Sequence, residues 1–284
     1  MGRVQDVPLS APVTGAAGTQ WVRRVLSAAL LLPLFLAVVV WGPPWAFALI
    51  VLGVVGLAQW EFAALFRRAG VAASPLLGVG GGLVVTASFL VPDAVPMALA
   101  LVVLGVLGAS LAGGPPIAWQ PSAVTLLGIC YVGFLLGHAL WLRNVPSGME
   151  WVLFLVAVTW CGESAAYAVG SAFGRHRLAP RLSPRKTVEG AAGQLGAAVV
   201  AAAIAQPVLL PQWPWWEVVG LGAVLGVVGQ VGDLVESLLK RSVGAKDSGA
   251  AIPGHGGILD RVDGLLFCTP VLFYCVAHGQ AIAG

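Results

Sequence analysis

Four side chains in one run have the types and the spacing for phosphate or metal chemistry. In Gly229-Gln-Val-Gly-Asp233-Leu-Val-Glu236-Ser237-Leu-Leu-Lys240-Arg241, residues Asp233, Glu236, Ser237 and Lys240 fall at i, i+3, i+4 and i+7. A helix places such positions on one face. Leu234, Val235, Leu238 and Leu239 then cover the other, which predicts an amphipathic extension of an apolar helix over 229–241. A second acidic pair follows in Ile252-Pro-Gly-His255-Gly-Gly257-Ile-Leu-Asp260-Arg261-Val-Asp263. Asp260 and Asp263 stand at i, i+3 at the start of the last apolar helix, so both can face one cation. Hard oxygen ligands of this kind suit magnesium, which takes one or two carboxylates plus substrate phosphates. Gly254, Gly256 and Gly257 allow a tight turn with backbone N–H groups open to phosphate oxygens. His255 reads as a turn residue or a hydrogen-bond donor to phosphate. Lys240, Arg241, Lys246 and Arg261 supply positive charge around the carboxylates.

An upstream stretch complements this one. It reads Arg175-His-Arg177-Leu-Ala-Pro180-Arg181-Leu-Ser183-Pro-Arg185-Lys186-Thr187-Val-Glu189. We read it as a basic loop in which Ser183 and Thr187 bind phosphate beside Arg185 and Lys186. Just before it, Glu163 and Tyr167 sit one helical turn apart inside an apolar run. An acidic residue there is a functional candidate by default. Together the stretches 175–189 and 233–263 hold 15 of the chain's 27 charged residues. The positive-inside rule explains the basic ones but not the aspartates and glutamates among them.

The rest of the chain is what must hold these groups. It is 58% hydrophobic and only 10% charged, with mean hydropathy +0.92. A soluble domain carries about 25% charged residues. We expect an all-α integral membrane protein, a polytopic bundle of about nine transmembrane helices. The apolar segments run over 25–42, 45–65, 75–91, 96–112, 122–142, 151–174, 190–210, 215–233 and 263–282. The third and fourth are short and glycine-rich, open to a tilted or re-entrant course. With the N-terminus in the cytoplasm, 14 of the 15 lysines and arginines fall on the inner side and only Arg143 outside. Residues 1–20 read as a disordered tail, 21–150 as N-terminal membrane helices, and 151–284 as C-terminal catalytic helices with cytosolic loops. The cell membrane is the expected location.

Trp41, Trp45, Trp141, Trp151, Trp213, Trp215 and Trp216 read as interfacial anchors. Glu61 reads as an interfacial partner for Arg67-Arg68, and His138 and His278 as packing residues. The four cysteines form no CxxC pair and read as small buried hydrophobes. There is no GxxxxGK[ST] loop, no GxSxG elbow and no basic run dense enough for nucleic acid.

These residues resemble a known family. Ser237-Leu-Leu-Lys240-Arg241, Lys246-Asp247, Gly249, Ile252-Pro253, His255-Gly256-Gly257 and Leu259-Asp260-Arg261-x-Asp263 are similar to the signature of the phosphatidate cytidylyltransferase family, also called CDP-diacylglycerol synthases. Gly229-Gln230-x-Gly232-Asp233, the run 178–190 and Trp60-Glu61-Phe62 resemble it too. The specific likeness covers about residues 160–265. It implies a transferase that joins CTP and phosphatidic acid in the bilayer to give CDP-diacylglycerol and pyrophosphate, with Mg2+ as one or two cations. It further implies Asp233, Asp260 and Asp263 as metal ligands, with Glu163 a fourth candidate. Lys240 and Lys246 join the three aspartates as catalytic groups. Arg185, Lys186, Ser183, Thr187, Arg241, His255, Gly256, Gly257 and Arg261 become substrate-binding. The family has Asp where this chain has Glu163, a carboxylate one methylene longer. A homodimer is left open. Two other readings compete: an enzyme using CTP with another lipid phosphate, and a secondary transporter. The latter would place its charges near the bilayer midplane rather than at helix ends.

Overall fold

The computed structural model describes residue 29 and residues 32–112, 119–249 and 256–283. Among them nine helices follow one another in the order of the apolar segments. They are α1 (Leu32–Trp41), α2 (Pro44–Arg68), α3 (Pro75–Ser88), α4 (Ala94–Ala112), α5 (Gln120–Asn144), α6 (Gly148–Phe173), α7 (Val188–Leu209), α8 (Trp215–Ser242) and α9 (Leu259–Ala283). Seven are long and apolar enough to cross a membrane; α1 and α3 are the shorter ones. The fold is an all-α, multi-pass membrane bundle. At about 1.5 Å per residue the 14 residues of α3 reach only about 21 Å, short of the ~30 Å hydrocarbon core. The short tail region, 1–20, lies outside the described residues.

Local chemistry sets the ends. Pro44 and Pro75 sit at the first position of α2 and α3, where a missing N–H costs nothing. Thr187 caps α7 by accepting from Gly190 N at 3.1 Å. Arg67 and Arg68 end α2, and Lys240 and Arg241 end α8, as the helix dipole favours. The amphipathic extension expected over 229–241 is helical and continuous with α8.

The basic stretch is not a plain loop. It folds into an antiparallel hairpin, β1 (Arg177–Ala179) and β2 (Ser183–Thr187), pairing Arg177 with Thr187 and Ala179 with Ser183. Its turn is closed by Leu182 N donating to Ala179 O at 3.1 Å. A second feature without a sequence signal is a π-helical turn in α5, Ile129–Phe134. There Gly133 meets the backbone of Gly82 so closely that a Cβ would lie 2.8 Å from Gly82 O. Gly81 and Gly82 of α3 thus serve close packing against α5, whereas Gly80 faces open space.

In the C-terminal half, α6 packs along α7, α7 along α8, and α8 along α9. In the N-terminal half α2 packs on α3, and α9 also lies against α5. The core includes Phe62, Phe154, Leu225, Leu266 and Leu272. Trp151 belongs there too, at 0% exposure, with its ring edge-on to Phe154 and Trp213. That corrects its reading as an interfacial anchor: an indole at a helix end is indistinguishable in sequence from one turned inward. His138 is a packing residue as expected, bonded through Nδ1 to Phe134 O and through Nε2 to Tyr274 Oη. His278 is exposed instead. Cys268 is buried, but Cys130, Cys161 and Cys275 are exposed on apolar helices.

Candidate functional site

The C-terminal ends of α2, α6 and α8, the N-terminal ends of α7 and α9, and the hairpin meet at one end of the bundle. Four contacts tie them. Lys186 Nζ pairs with Asp233 Oδ2 at 2.5 Å, joining β2 to α8. Gln230 Nε2 donates to Ala191 O at 2.8 Å, joining α8 to α7. Arg241 Nε donates to Leu182 O at 3.1 Å, joining the end of α8 to the hairpin turn. Leu259 N donates to Glu61 Oε2 at 3.0 Å, joining α9 to α2. The two charge-rich stretches, separate in sequence, therefore form one site.

Its centre is acidic. Asp233, Glu236 and Asp263 each offer a carboxylate oxygen within 4.8 Å of the other two. Glu236 is 1% exposed and Asp263 8%. Glu236 Oε1 is buried and has no hydrogen-bond partner among the described residues. Three carboxylates this close repel one another unless a cation or protons intervene. Hard oxygen donors, shared between two helices and with one buried oxygen unsatisfied, fit a divalent cation such as magnesium. Close helix packing makes the cluster possible. A Cβ at Gly232 would lie 2.7 Å from Asp263 O, so only glycine lets α8 approach α9 there.

Asp260 behaves differently. Its Oδ1 accepts from Lys240 Nζ at 2.6 Å. Its Oδ2 accepts from Ser248 Oγ at 2.8 Å, from Ser248 N at 3.1 Å and from Gly257 N at 3.1 Å. Lys240 also pairs with Glu236. Asp260 is thereby committed to holding the loop before α9, and Lys240 bridges it to the cluster.

The remaining expected residues divide by surroundings. Thr187 is buried and caps α7. Ser183 and Lys186 are half-buried, whereas Arg185 and Lys246 are exposed. Arg241 gives its head to the carbonyls of Leu182 and Ala245. Gly256 has φ +86°, the left-handed conformation expected of its turn, and Gly257 has no room for a side chain. His255 lies outside the described residues. Arg261 stands exposed on the first turn of α9. Glu163 reaches α9 one residue past Asp263, since a Cβ at Gly264 would lie 2.7 Å from its Oε1. Tyr167, one turn on, is 81% exposed. Glu189, unassigned beforehand, closes the hairpin base by accepting from Arg175 N, His176 N and His176 Nδ1.

Two site residues escaped the sequence reading. Glu236 was placed on the right helical face but not chosen as a ligand. Glu61 was read as a partner for Arg67-Arg68; it is buried, 6% exposed, and turned into the loop before α9. Its signals are that it is an acidic residue within a span and that Trp60-Glu61-Phe62 resembles the family.

Comparison with known proteins bears on this geometry. A stretch of 155 residues is 43% identical to the phosphatidate cytidylyltransferase of Bacillus subtilis, covering 54% of this chain and 57% of that protein. The phosphatidate cytidylyltransferase of Brucella suis is 45% identical over 152 residues, 51% of this chain and 54% of the relative. That of Synechocystis is 43% identical over 136 residues, 47% of this chain and 45% of the relative. The matched part thus spans about half the length of these relatives. The family match is longer: residues 22–278 fit the cytidylyltransferase family, and the chain belongs to it.

Proposed function

We propose that the protein is a phosphatidate cytidylyltransferase, converting CTP and phosphatidic acid to CDP-diacylglycerol and pyrophosphate. The observation that carries this reading is the three-carboxylate cluster Asp233, Glu236 and Asp263, flanked by Lys186 from the hairpin and Lys240 on α8. The names of the relatives support the substrate pair.

In this reading a phosphate oxygen of the lipid attacks the α-phosphorus of CTP, and pyrophosphate leaves. Both reactants are anions, so charge compensation is the main requirement. Asp233, Glu236 and Asp263 would hold Mg2+. When bound, the cation supplies positive charge to the triphosphate oxygens. Lys186 is set to exchange Asp233 for a phosphate oxygen without leaving its strand. Arg185 and Lys246, exposed on either side, bind the outer phosphates. Arg261 on α9 completes the cationic wall. Lys240 and Asp260 keep Glu236 and the preceding loop in place. Gly256 offers backbone to the nucleotide without side-chain obstruction, while Gly257 lets Glu61 and Ser248 close on the base of the turn. No strong base is required, because a phosphate monoester is largely ionised near neutral pH.

The same reading gives a location. With the carboxylate end toward the cytoplasm, CTP arrives from water while acyl chains stay in the bilayer. The distribution of 14 of 15 basic residues supports nine spans with the N-terminus inside. A reporter fused after Gly284 then lies outside the cytoplasm.

The test is direct. Purified protein is given radiolabelled CTP and phosphatidic acid, with and without magnesium. Label in a lipid of CDP-diacylglycerol mobility, only with magnesium, is the expected result. Label transfer to a different lipid phosphate but not to phosphatidic acid would replace the substrate, and no transfer to any lipid would reject the reaction.

A further inference from the structure

Glu61 comes from α2, in the half of the chain that carries none of the charged stretches. It is nonetheless buried against the loop that precedes α9. Its Oε2 accepts from Leu259 N at 3.0 Å. A Cβ at Gly249 would lie 2.5 Å from its Oε1, and one at Gly257 would lie 2.6 Å from its Oε2. Both glycines therefore exist, in steric terms, to admit this carboxylate. A buried carboxylate is costly to keep, so a specific use is expected of it.

The loop's two ends are also what Asp260 holds. Ser248 N, Ser248 Oγ and Gly257 N all donate to Asp260 Oδ2. Asp260 therefore bonds to Ser248 and Gly257, and Glu61 lies against Gly249 and Gly257. The two carboxylates form a clasp at the loop's base. Asp260 draws residues 248 and 257 together through hydrogen bonds. Glu61 fills the space beside 249 and 257 and pins the first amide of α9. Leu259 N is one of the free N–H groups of a helix start, where a carboxylate is favoured by both hydrogen bonding and the dipole.

We infer that Glu61 is a positioning residue for nucleotide binding: from α2 it holds Gly249, Gly257 and the first amide of α9, and so sets the start of the helix on which Asp260 and Asp263 ride. It does not touch the reacting atoms in this assignment. It rests on the proposed cytidylyl transfer for its kinetic consequence, but its structural consequence can be read without turnover.

Three variants in the full-length, detergent-purified protein test it. Glu61→Gln keeps the volume and one acceptor for Leu259 N. Glu61→Ala removes both. Gly257→Ala attacks the clasp from the opposite side, because its new Cβ collides with Glu61 Oε2 and Ser248 Oγ. Amide hydrogen exchange is measured over 245–262 and over α4 as a remote control. Glu61→Ala and Gly257→Ala are expected to speed exchange at the loop base and Leu259 by about tenfold or more, with α4 unchanged, and Glu61→Gln to fall between them and the parent. In the transfer assay the KM for CTP rises by about tenfold in Glu61→Ala, that for phosphatidic acid stays within twofold, and Glu61→Gln restores most of the loss. Unchanged exchange at 245–262 in Glu61→Ala overturns the assignment, as does exchange that rises equally in α4. A KM effect on phosphatidic acid equal to that on CTP overturns the nucleotide role. If the parent protein transfers no label at all, the reaction is wrong, and the exchange result still decides the clasp.

Discussion

Asp260 and Asp263 lie three residues apart at the start of α9, yet they have opposite surroundings. Asp260 accepts four hydrogen bonds, from Lys240, Ser248 twice and Gly257. Among the described residues Asp263 has one, from Gly264 N, and it faces Asp233 and Glu236 instead. A saturated carboxylate is already satisfied as an anion and gains little from a metal. A carboxylate held among others is destabilised until positive charge arrives. In the proposed reading the difference separates a residue that holds the ends of the loop from one that would bind a cation, although both are acidic, close and one helical turn apart.

The largest expected effect breaks the comparison on the catalytic side. Asp263→Asn or Asp233→Asn lowers CTP-dependent turnover by about a thousandfold or more, because the cation loses a charged ligand at a site where charge stabilisation is the main contribution. Thermal unfolding sharpens it. Magnesium raises the unfolding temperature of the parent, since it binds the folded state alone, and fails to do so in Asp263→Asn. Without magnesium the variant is as stable as the parent or more so, because one of three mutually repelling charges is gone.

Asp260→Asn should invert that pattern. Removing one partner of a buried ion pair costs about 3 kcal/mol, and the amide NH2 must replace an acceptor either for Lys240 or for the Ser248 and Gly257 amides. The unfolding temperature falls with or without magnesium, and the magnesium-induced rise persists. Turnover falls as well, so stability rather than activity separates the two aspartates. A rise in unfolding temperature for Asp260→Asn, or a fall for Asp263→Asn in metal-free buffer, would reverse the roles assigned here.

This contrast also shows what the sequence could and could not reveal. Spacing placed Asp260 and Asp263 on one side of a helix, and Asp233 and Glu236 on one side of another. It could not tell that Asp263 rather than Asp260 would join both Asp233 and Glu236 across the interface, because that depends on the approach permitted by Gly232. Nor could it show that Ser248 and Gly257 would saturate Asp260, since the loop's path is not periodic. Nine apolar helices and the helical extension to Ser242 were legible because hydropathy and period are local signals. Glu61 was not, as its contact with Leu259 spans 198 positions. The hairpin escaped for a different reason. Two prolines and a run of charge argue for an irregular loop. The strands form because Glu189 and Arg241 clamp their base and turn.

A smaller effect bears on the cationic side. Lys186 pairs with Asp233, the most exposed member of the cluster, and Lys240 with buried Glu236. Lys186→Met is expected to lower kcat/KM for CTP by about ten- to a hundredfold with little change in stability, because a partly exposed pair contributes at most about 1 kcal/mol to folding. Initial rates against CTP concentration, together with the unfolding temperature, check it. A large loss of stability would make Lys186 a structural residue like Lys240 and erase the distinction between them.

The smallest effect belongs to Arg241. Its guanidinium donates to Leu182 O on the hairpin turn and to Ala245 O after α8, so its charge meets neutral acceptors on an exposed surface. Water competes for such groups on an exposed surface, which holds the net contribution to the low end of the usual range, about 0.5 kcal/mol each. Arg241→Ala should therefore change the unfolding temperature by only a degree or two and turnover by a few-fold. The hairpin is where the change concentrates, with faster amide exchange over 177–187 and none over the start of α9. If Arg241 instead bound substrate phosphate as its main task, turnover would fall by far more and exchange in the hairpin would stay as it was. Arg241→Lys separates the two cases. A lysine keeps the charge but cannot span two carbonyls with a planar fork, so it restores phosphate binding and leaves the hairpin loose.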